Sequence, residues 1–237
     1  MRIDKLISEC GIASRKETAE KAKRGELYVN GVQVKRADTH VDPKNDEIVF
    51  CGKRVAYEQF VYVMLNKPSG YISATEDSSL PVVTELLSDE LQRRGLFPCG
   101  RLDRDTLGLM ILTNDGKLSH YLLSPRHHVS KVYRFECEHP LTEDAEKAFI
   151  AGMTIDGGEV CKTATLRCDD GRKSGFVTLV EGKYHQVKRM FESLDNKITY
   201  LERVEFAEIP LDTSLARGEW RYCTESEIEK LKSFVKA

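Results

Sequence analysis

From residue 58 onward the chain carries many apolar strand patterns and few helical patterns, and the two kinds do not alternate. Regular alternation would be typical of a parallel sheet, because parallel strands need long crossover connections. The irregular order instead predicts an α+β domain with a mostly antiparallel sheet. The predicted strands are 60–65, 108–113, 131–138, 161–168, 175–181 and 197–206, and the predicted helices are 83–91, 117–123, 143–151, 185–194 and 225–234.

The N-terminal residues follow a different pattern of two short helices, a tight hairpin and a further strand. Ser14 and Glu17 form a capping-box pattern at the start of the second helix, and Gly25 is typical of a helix C-terminal cap. Asn30-Gly31 separates two apolar alternations, and both residues tolerate the positive φ that a type I′ turn needs. We therefore expect two domains, 1–57 and 58–237.

The charge balance does not by itself indicate a nucleic-acid partner. The chain has 36 Lys and Arg against 38 Asp and Glu, a net charge of −2, so any phosphate-binding surface must be local. The seven cysteines have no CxxC spacing, which predicts neither a disulfide framework nor a zinc site. No apolar run reaches the roughly 18 residues of a membrane span, and no leader pattern is seen. We expect a cytoplasmic protein that does not bind membranes.

The second predicted helix could bind several phosphates, because it is dense in cationic side chains. Glu17 and Glu20 are interleaved with these cations and could pair with them, which would leave an ordinary solvated helix face. The residue pattern leaves both readings open. The cations are Arg15, Lys16, Lys21, Lys23 and Arg24.

Asp103 and Asp105 lie in a charged, glycine-bounded loop that runs directly into the predicted strand at 108–113. An Asp in such a loop often forms a turn. A DxD magnesium site for phosphoryl transfer is a second hypothesis. It is disfavoured because no phosphate-binding glycine-rich loop or Walker lysine accompanies the pair. A catalytic carboxylate is the third.

The stretch 181–191, EGKYHQVKRMF, places a cationic cluster where a strand ends and a helix begins. Free backbone amides at a helix start add to such side chains in binding phosphates. A helix that begins near His185 would place Tyr184 and Lys188 on one face. His185 and the pair His127-His128 lack partners with zinc-ligand spacing, so hydrogen-bonded histidines are expected there.

The chain carries four motifs in this order: LNKPSG (65–70), GRLDRDTLGL (100–109), SPRHHVSKVY (124–133) and EGKYHQVKRM (181–190). Together they resemble the motifs of bacterial ribosomal RNA pseudouridine synthases, and among these the ribosomal small subunit pseudouridine synthase A branch. The segment 2–31 in front of them resembles an S4-type RNA-binding domain. Arg104 and Leu107 depart from the family, which usually has an aliphatic and a small hydroxylic residue at these positions.

The resemblance implies an α+β fold in which a small S4-type helix–helix–hairpin domain precedes a larger, mostly antiparallel catalytic domain. It implies that Asp103 is the nucleophile, that Lys188 is its cationic partner, and that Tyr133 stacks on the uracil and assists proton removal from C5. A carboxylate in a partly dry pocket needs such a cation to stay ionised. The implied RNA contacts are Arg101, Lys67 and Arg189 near the pocket, and Lys5, Arg15, Lys16 and Arg24 in the S4-type domain.

The implied reaction breaks the N1–C1′ bond of a uridine, turns the base and forms a C5–C1′ bond. The product is an isomer, so no cofactor and no metal are expected, and the uridine must leave its stack to reach the pocket. The implied partner is ribosomal RNA in a pre-ribosomal particle, bound by a monomer. A large-subunit target and a non-catalytic ribosome-assembly factor are the alternatives. Activity requires Asp103, Tyr133 and Lys188 to meet in one cleft.

Overall fold

Two helices and a small sheet make up the N-terminal part of the chain, in a computed structural model that describes residues 1–236. The strand order is β2-β1-β3-β4. Apolar side chains from both helices and from β1 and β3 form a separate hydrophobic core. The predicted helix–helix–hairpin order is confirmed, whereas the domain boundary at residue 57 stays a prediction. The elements are α1 (Ile3–Glu9), α2 (Arg15–Lys23), β1 (Leu27–Val29), β2 (Val32–Gln33), β3 (Ile48–Phe50) and β4 (Lys53–Arg54).

The capping box and the tight hairpin turn that the sequence predicts for this part are both formed. The Ser14 side chain accepts a hydrogen bond from the Glu17 amide, and the Glu17 carboxylate accepts one from the Ser14 amide. Asn30 and Gly31 have φ of 50° and 78°, which a type I′ turn requires. The Asn30 side chain also bonds Asp46 and the Glu47 amide, which ties the hairpin to the approach of β3.

A nine-stranded sheet is the centre of the rest of the chain. Its strand order is β11-β12-β8-β13-β7-β5-β15, and in addition β6 pairs with β7 and β14 pairs with β13. Among the described strands only β13 and β7 pair in parallel, so the predicted mostly antiparallel α+β fold is confirmed. The strands of this sheet are β5 (Tyr62–Lys67), β6 (Phe97–Pro98), β7 (Leu107–Thr113), β8 (Lys131–Cys137), β11 (Thr165–Cys168), β12 (Ser174–Leu179), β13 (Ile198–Phe206), β14 (Ile209–Pro210) and β15 (Trp220–Tyr222); β9 (Thr154–Ile155) and β10 (Glu159–Val160) form a separate hairpin.

The helices pack on both faces of the large sheet. On one face, the rings of Phe135, Phe149 and Phe191 meet between the sheet, α5 and α6. On the other, α4 and α7 cover a second apolar cluster. None of the described helices has the length and apolar character needed to cross a membrane. The helices are α3 (Asp89–Arg93), α4 (Gly116–Leu123), α5 (Ala145–Ala151), α6 (Gln186–Glu192) and α7 (Glu225–Lys236).

Two predicted elements differ from the structure by more than two residues. The helix predicted over 83–91 is wrong, because a 3₁₀ turn over Val83–Leu86 ends at an extended Leu87 and α3 then starts afresh from a Ser88 cap. The strand predicted over 161–168 pairs only at Thr165–Cys168. In both places the apolar pattern of the sequence continues across a point where the backbone conformation changes.

Gly108 allows the close approach of β7 and β13 that brings the loop in front of β7 next to the centre of the sheet. It has a φ of 97°, and a Cβ atom there would lie 2.3 Å from the Arg203 carbonyl oxygen. Any other residue would therefore push the two strands apart. The loop at 100–106 thus lies beside β8, β13 and the start of α6.

Candidate active site

Asp103, Tyr133 and Lys188 line one cavity of about 570 Å³. Asp103 comes from the loop before β7, Tyr133 from the middle of β8, and Lys188 from the first turn of α6. The volume lies within the range of pockets that hold small organic ligands. The structure thus brings together the three side chains whose convergence a catalytic interpretation requires.

The Asp103 carboxylate lies between two basic groups. Its Oδ2 is 3.3 Å from Lys188 Nζ and its Oδ1 is 3.5 Å from His185 Nε2. Lys188 also binds Asp105 Oδ1 at 2.6 Å. Burial disfavours the charge of Lys188, but the bonds and charges of Asp105 and Asp103 raise its pKa above the usual value. The ammonium is therefore charged at neutral pH and keeps a cation beside Asp103.

Asp105 is the outer member of this cluster. Its side chain is 67% exposed, whereas that of Asp103 is 25% exposed. Partial burial acts to raise the pKa of Asp105, but the hydrogen bond and the charge of Lys188, together with smaller effects of a backbone amide and of His185, lower it overall. The Lys188 ammonium occupies the position between the two carboxylates that a magnesium ion would need. No group of three metal-ligating side chains occurs among residues 1–236.

Lys67 is buried against the loop that carries Asp103, and its expected role as an RNA contact is wrong. It lies on β5, is fully buried, and its Nζ donates to the carbonyl oxygens of Pro68, Asp103, Arg104 and Thr106 at 2.8–3.2 Å. Burial lowers its pKa to about 8, against the opposing effect of Asp105 and Asp103. Because Lys67 has no exposed surface, it positions the backbone of Asp103 and cannot reach an RNA phosphate.

Arg189 is likewise engaged within the protein, which makes it wrong as a contact for the RNA backbone. Its guanidinium binds the carboxylates of Asp156 and Glu159 and the carbonyl oxygens of Asp156 and Tyr184. Its side chain is mostly buried. These bonds tie α6 to the segment around β9 and β10, so Arg189 fixes the position of the helix that carries Lys188.

Arg101 remains available to a ligand. It is exposed, lines the cavity, and forms neither an ion pair nor a side-chain hydrogen bond within the described chain. Arg104, three residues further along the chain, donates from Nε to the Gly70 carbonyl oxygen at 3.2 Å. Arg101 is therefore the predicted RNA contact near the pocket that the structure leaves accessible.

The basic residues predicted to bind RNA in the N-terminal part lie on its surface. Lys5 Nζ is 3.5 Å from Oε1 of Glu9, which is one turn away on α1. Arg15, Lys16 and Arg24 are exposed, and none of the three has a carboxylate partner in the described structure. The local pairing with Glu17 and Glu20 that the sequence allowed is not formed by these three cations.

His185, Lys131 and Arg203 line the cavity, and Asp105 binds Lys188 beside it, but the sequence predicted none of these four as a catalytic residue or RNA contact. His185 has a left-handed backbone, with φ 48° and ψ 32°, which ends the preceding loop and starts α6 at Gln186. The prediction that Tyr184 and Lys188 share a helix face is therefore wrong. Tyr184 lies before the helix, 77% exposed, with its ring stacked on His185 at 3.8 Å. The neighbouring aromatic residues Tyr184 and His185 were the signal in the sequence that could have indicated this stacking.

Comparisons of sequence and of structure point to one family of known proteins. The family model described as RNA pseudouridylate synthase matches residues 61–193. An uncharacterized RNA pseudouridine synthase of Bacillus subtilis (strain 168) is 42% identical over 98% of each chain. A ribosomal small subunit pseudouridine synthase A of Escherichia coli (strain K12) is 36% identical over 96% of this chain and 98% of its own. A crystal structure of a pseudouridylate synthase, 37% identical, superposes with a TM-score of 0.69 over 98% of this chain and 99% of its own.

Proposed function

Because the chain belongs to the RNA pseudouridylate synthase family, in the branch of the ribosomal small subunit pseudouridine synthase A proteins, we propose that it isomerises a uridine of small-subunit ribosomal RNA with Asp103 as nucleophile. The observation that carries the proposal is the ion pair of Asp103 and Lys188 in a cavity that Tyr133 also lines. The relatives from Haemophilus influenzae and Escherichia coli, which are named for the small subunit, support this choice of RNA.

The proposed chemistry needs an ionised carboxylate that can reach the nucleotide. Attack on the ribose, attack on the base ring and assistance of glycal formation all share this requirement. Lys188 supplies the opposite charge, and Lys67 holds the backbone of Asp103 in place. Tyr133, which is 9% exposed, offers a ring for the flipped uracil and a hydroxyl for removal of the C5 proton.

The test is tritium release from C5-labelled uridine in transcripts of small-subunit and large-subunit ribosomal RNA, each folded before the enzyme is added. We expect release from the small-subunit RNA alone. Release only from large-subunit RNA would overturn the choice of target, and release from neither would favour a non-catalytic assembly factor. Parallel reactions on pre-ribosomal particles test the proposal that a cytoplasmic monomer acts on an assembling subunit.

Substitution of Lys188 by Met is expected to lower kcat by about 10²-fold, the scale of removing one charge-stabilising group from an active site. The loss follows because Asp103 keeps its burial but loses its cation. Lys188→Arg should restore most of the rate, since Arg keeps the charge. Single-turnover kinetics measure both variants. The control is Lys197→Met, which removes an exposed charge away from the cavity.

The N-terminal cations should act on RNA affinity and leave the chemistry unchanged. A triple variant, Arg15→Gln/Lys16→Gln/Arg24→Gln, is expected to weaken binding about tenfold or more and to reduce the salt dependence of binding, because fewer counterions are released. Filter binding at several salt concentrations checks this. The matched control, Lys44→Gln/Lys53→Gln/Arg54→Gln, removes three exposed charges outside α2. An equal loss in both triples would contradict a specific surface.

A further inference from the structure

Two buried cations lie at the wall of the catalytic cavity, outside the group of Asp103, Lys188 and Tyr133. Arg203 on β13 is 1% exposed and Lys131 at the start of β8 is 9% exposed, and both line the cavity. They lie over the same Phe206 ring, with the Arg203 guanidinium carbon 5.0 Å and the Lys131 Nζ 5.9 Å from its centroid. The two charges therefore share one small region.

These charges are poorly balanced by the protein. Arg203 donates from Nε to the Leu109 carbonyl oxygen at 2.8 Å, and Lys131 donates from Nζ to that of Val129 at 3.1 Å. Neither forms an ion pair with a carboxylate among residues 1–236. Burial and the charge of Arg203 lower the pKa of Lys131 to about 8. A buried charge without a carboxylate is costly, so an anion bound here would be strongly stabilised.

Glu181 also lines the cavity, and its Oε1 is already hydrogen-bonded to groups other than the two cations. Its Oε1 accepts from the Gln186 side-chain amide at 2.6 Å and from the Lys162 backbone amide at 2.8 Å. Glu181 therefore offsets part of the positive potential from a distance. The Thr106 hydroxyl, which also lines the cavity, is buried without a hydrogen-bond partner among the described groups. Polar groups in this region thus have bonding capacity left for a ligand.

The exposure of the side chains around the cavity indicates which part of a nucleotide would lie nearest the two cations. Tyr184 is 77% exposed, the side chains of Asp103 and Lys188 are 25% and 21% exposed, and Lys131 and Arg203 are 9% and 1% exposed. A nucleotide whose ribose lies at Asp103 has its phosphates in solvent and its base inward. The group that meets the deep cations is therefore the uracil.

We propose that Arg203 and Lys131 bind the uracil as an anion during the reaction, an inference that rests on the proposed function. When the N1–C1′ bond breaks, its electron pair stays on the uracil and the negative charge is shared by N1, O2 and O4. In the route by attack on the ribose, the Asp103 carboxylate holds C1′ as an ester, and the Asp103–C1′ bond breaks as a ring electron pair forms the C5–C1′ bond. C5 then loses its proton to a base, and N1 gains a proton. Cations fixed where this charge develops favour the step over the ground state.

A purely structural role would use only part of Arg203. Linking β13 to β7 through the Leu109 carbonyl oxygen and the Met110 sulfur engages two of five guanidinium N–H groups. The structural role also gives no reason for Lys131 to lie beside a second buried cation, because two like charges in one apolar region repel each other. Binding of an anion accounts for both positions together.

The test compares the binding of uracil and of 6-azauracil by calorimetry just above neutral pH. The two bases have nearly the same shape, but 6-azauracil is largely ionised there and uracil is neutral. We expect the wild-type enzyme to bind 6-azauracil about tenfold more tightly, as charge-assisted hydrogen bonds are stronger than neutral ones. Arg203→Met and Lys131→Met should each reduce the preference to near onefold. The control Arg167→Met, at an exposed position on β11, should keep it.

Equal affinity of the wild type for both bases, or no measurable binding of either, would overturn the inference. It would also be overturned if the preference survived in Lys131→Met, which tests the idea even if Arg203→Met does not fold. Asp103→Asn should keep the preference, because the cations do not depend on the nucleophile. A wrong RNA target or a wrong nucleophile would therefore leave the base preference intact, so the two failures are distinguishable.

Discussion

Replacement of Asp103 by Asn should reduce pseudouridine formation by at least about 10⁴-fold, the scale seen when a catalytic nucleophile is removed. The substitution keeps the size of the side chain and removes the charge. It should leave the fold intact, since the carboxylate of Asp103 contacts Lys188 and His185 at the rim of the cavity and the backbone is held separately by Lys67. Tritium release under single-turnover conditions measures the effect.

Asp105→Asn is the matched control, because Asp105 lies two residues away and binds the same Lys188. Its side chain is mostly exposed, so the substitution should cost no more than about tenfold in rate, the scale of a weakened surface ion pair. Similar losses in the two variants would argue against Asp103 as the nucleophile. A large loss in Asp105→Asn alone would reverse the assignment of the two carboxylates.

The second large effect is expected from Lys67→Met, which should lower both stability and activity. Met fills most of the volume but donates no hydrogen bond, so the carbonyl oxygens of Pro68, Asp103, Arg104 and Thr106 lose their donor, the first three partly buried and the last fully buried. Unsatisfied buried groups of this kind cost about 1–3 kcal/mol each, and relaxation of the loop should limit the total to about 3–5 kcal/mol. For a chain of this size that corresponds to a fall in Tm of roughly 10 °C.

Thermal unfolding and tritium release distinguish the role of Lys67 as a support from a role as an RNA contact. A lysine that only bound RNA would change KM and the salt dependence of binding and would leave Tm unchanged. Lys53→Met, on the exposed strand β4, controls for loss of a lysine charge. An unchanged Tm for Lys67→Met would show that the four bonds contribute little to the folded state.

The elements that the sequence predicted best depend on local interactions. The capping box at Ser14 and Glu17 and the hairpin turn at Asn30-Gly31 satisfy backbone groups within a few residues, so the letters alone suffice to place them. The bounds at 83–91 and the placement of Tyr184 on α6 were wrong, because an apolar or cationic pattern does not show where the backbone leaves the helical region.

The residues of the candidate site also differ in how well the sequence alone predicted their roles. Asp103, Tyr133 and Lys188 could be named from their motifs, but Lys67 and Arg189 were taken for RNA contacts because their charges look alike in a sequence. Only the fold shows that Lys67 is buried under the loop and that Arg189 is held by two carboxylates. A cation is a ligand contact or a support according to what surrounds it, and that depends on burial.

The α+β class, the helix–helix–hairpin start of the chain and the charged loop with Asp103 in front of a strand can be predicted from the residues alone, because these features follow from periodicity and from turn chemistry within short windows. The meeting of this loop with β8, β13 and α6 around one cavity, with Arg203 and Lys131 on its wall, is visible only in the folded chain. Arg203 pairs with Tyr133 and Gly108 across strands distant in sequence. Such pairings join segments 70 to 100 residues apart, and no local pattern of side chains encodes which strands become neighbours.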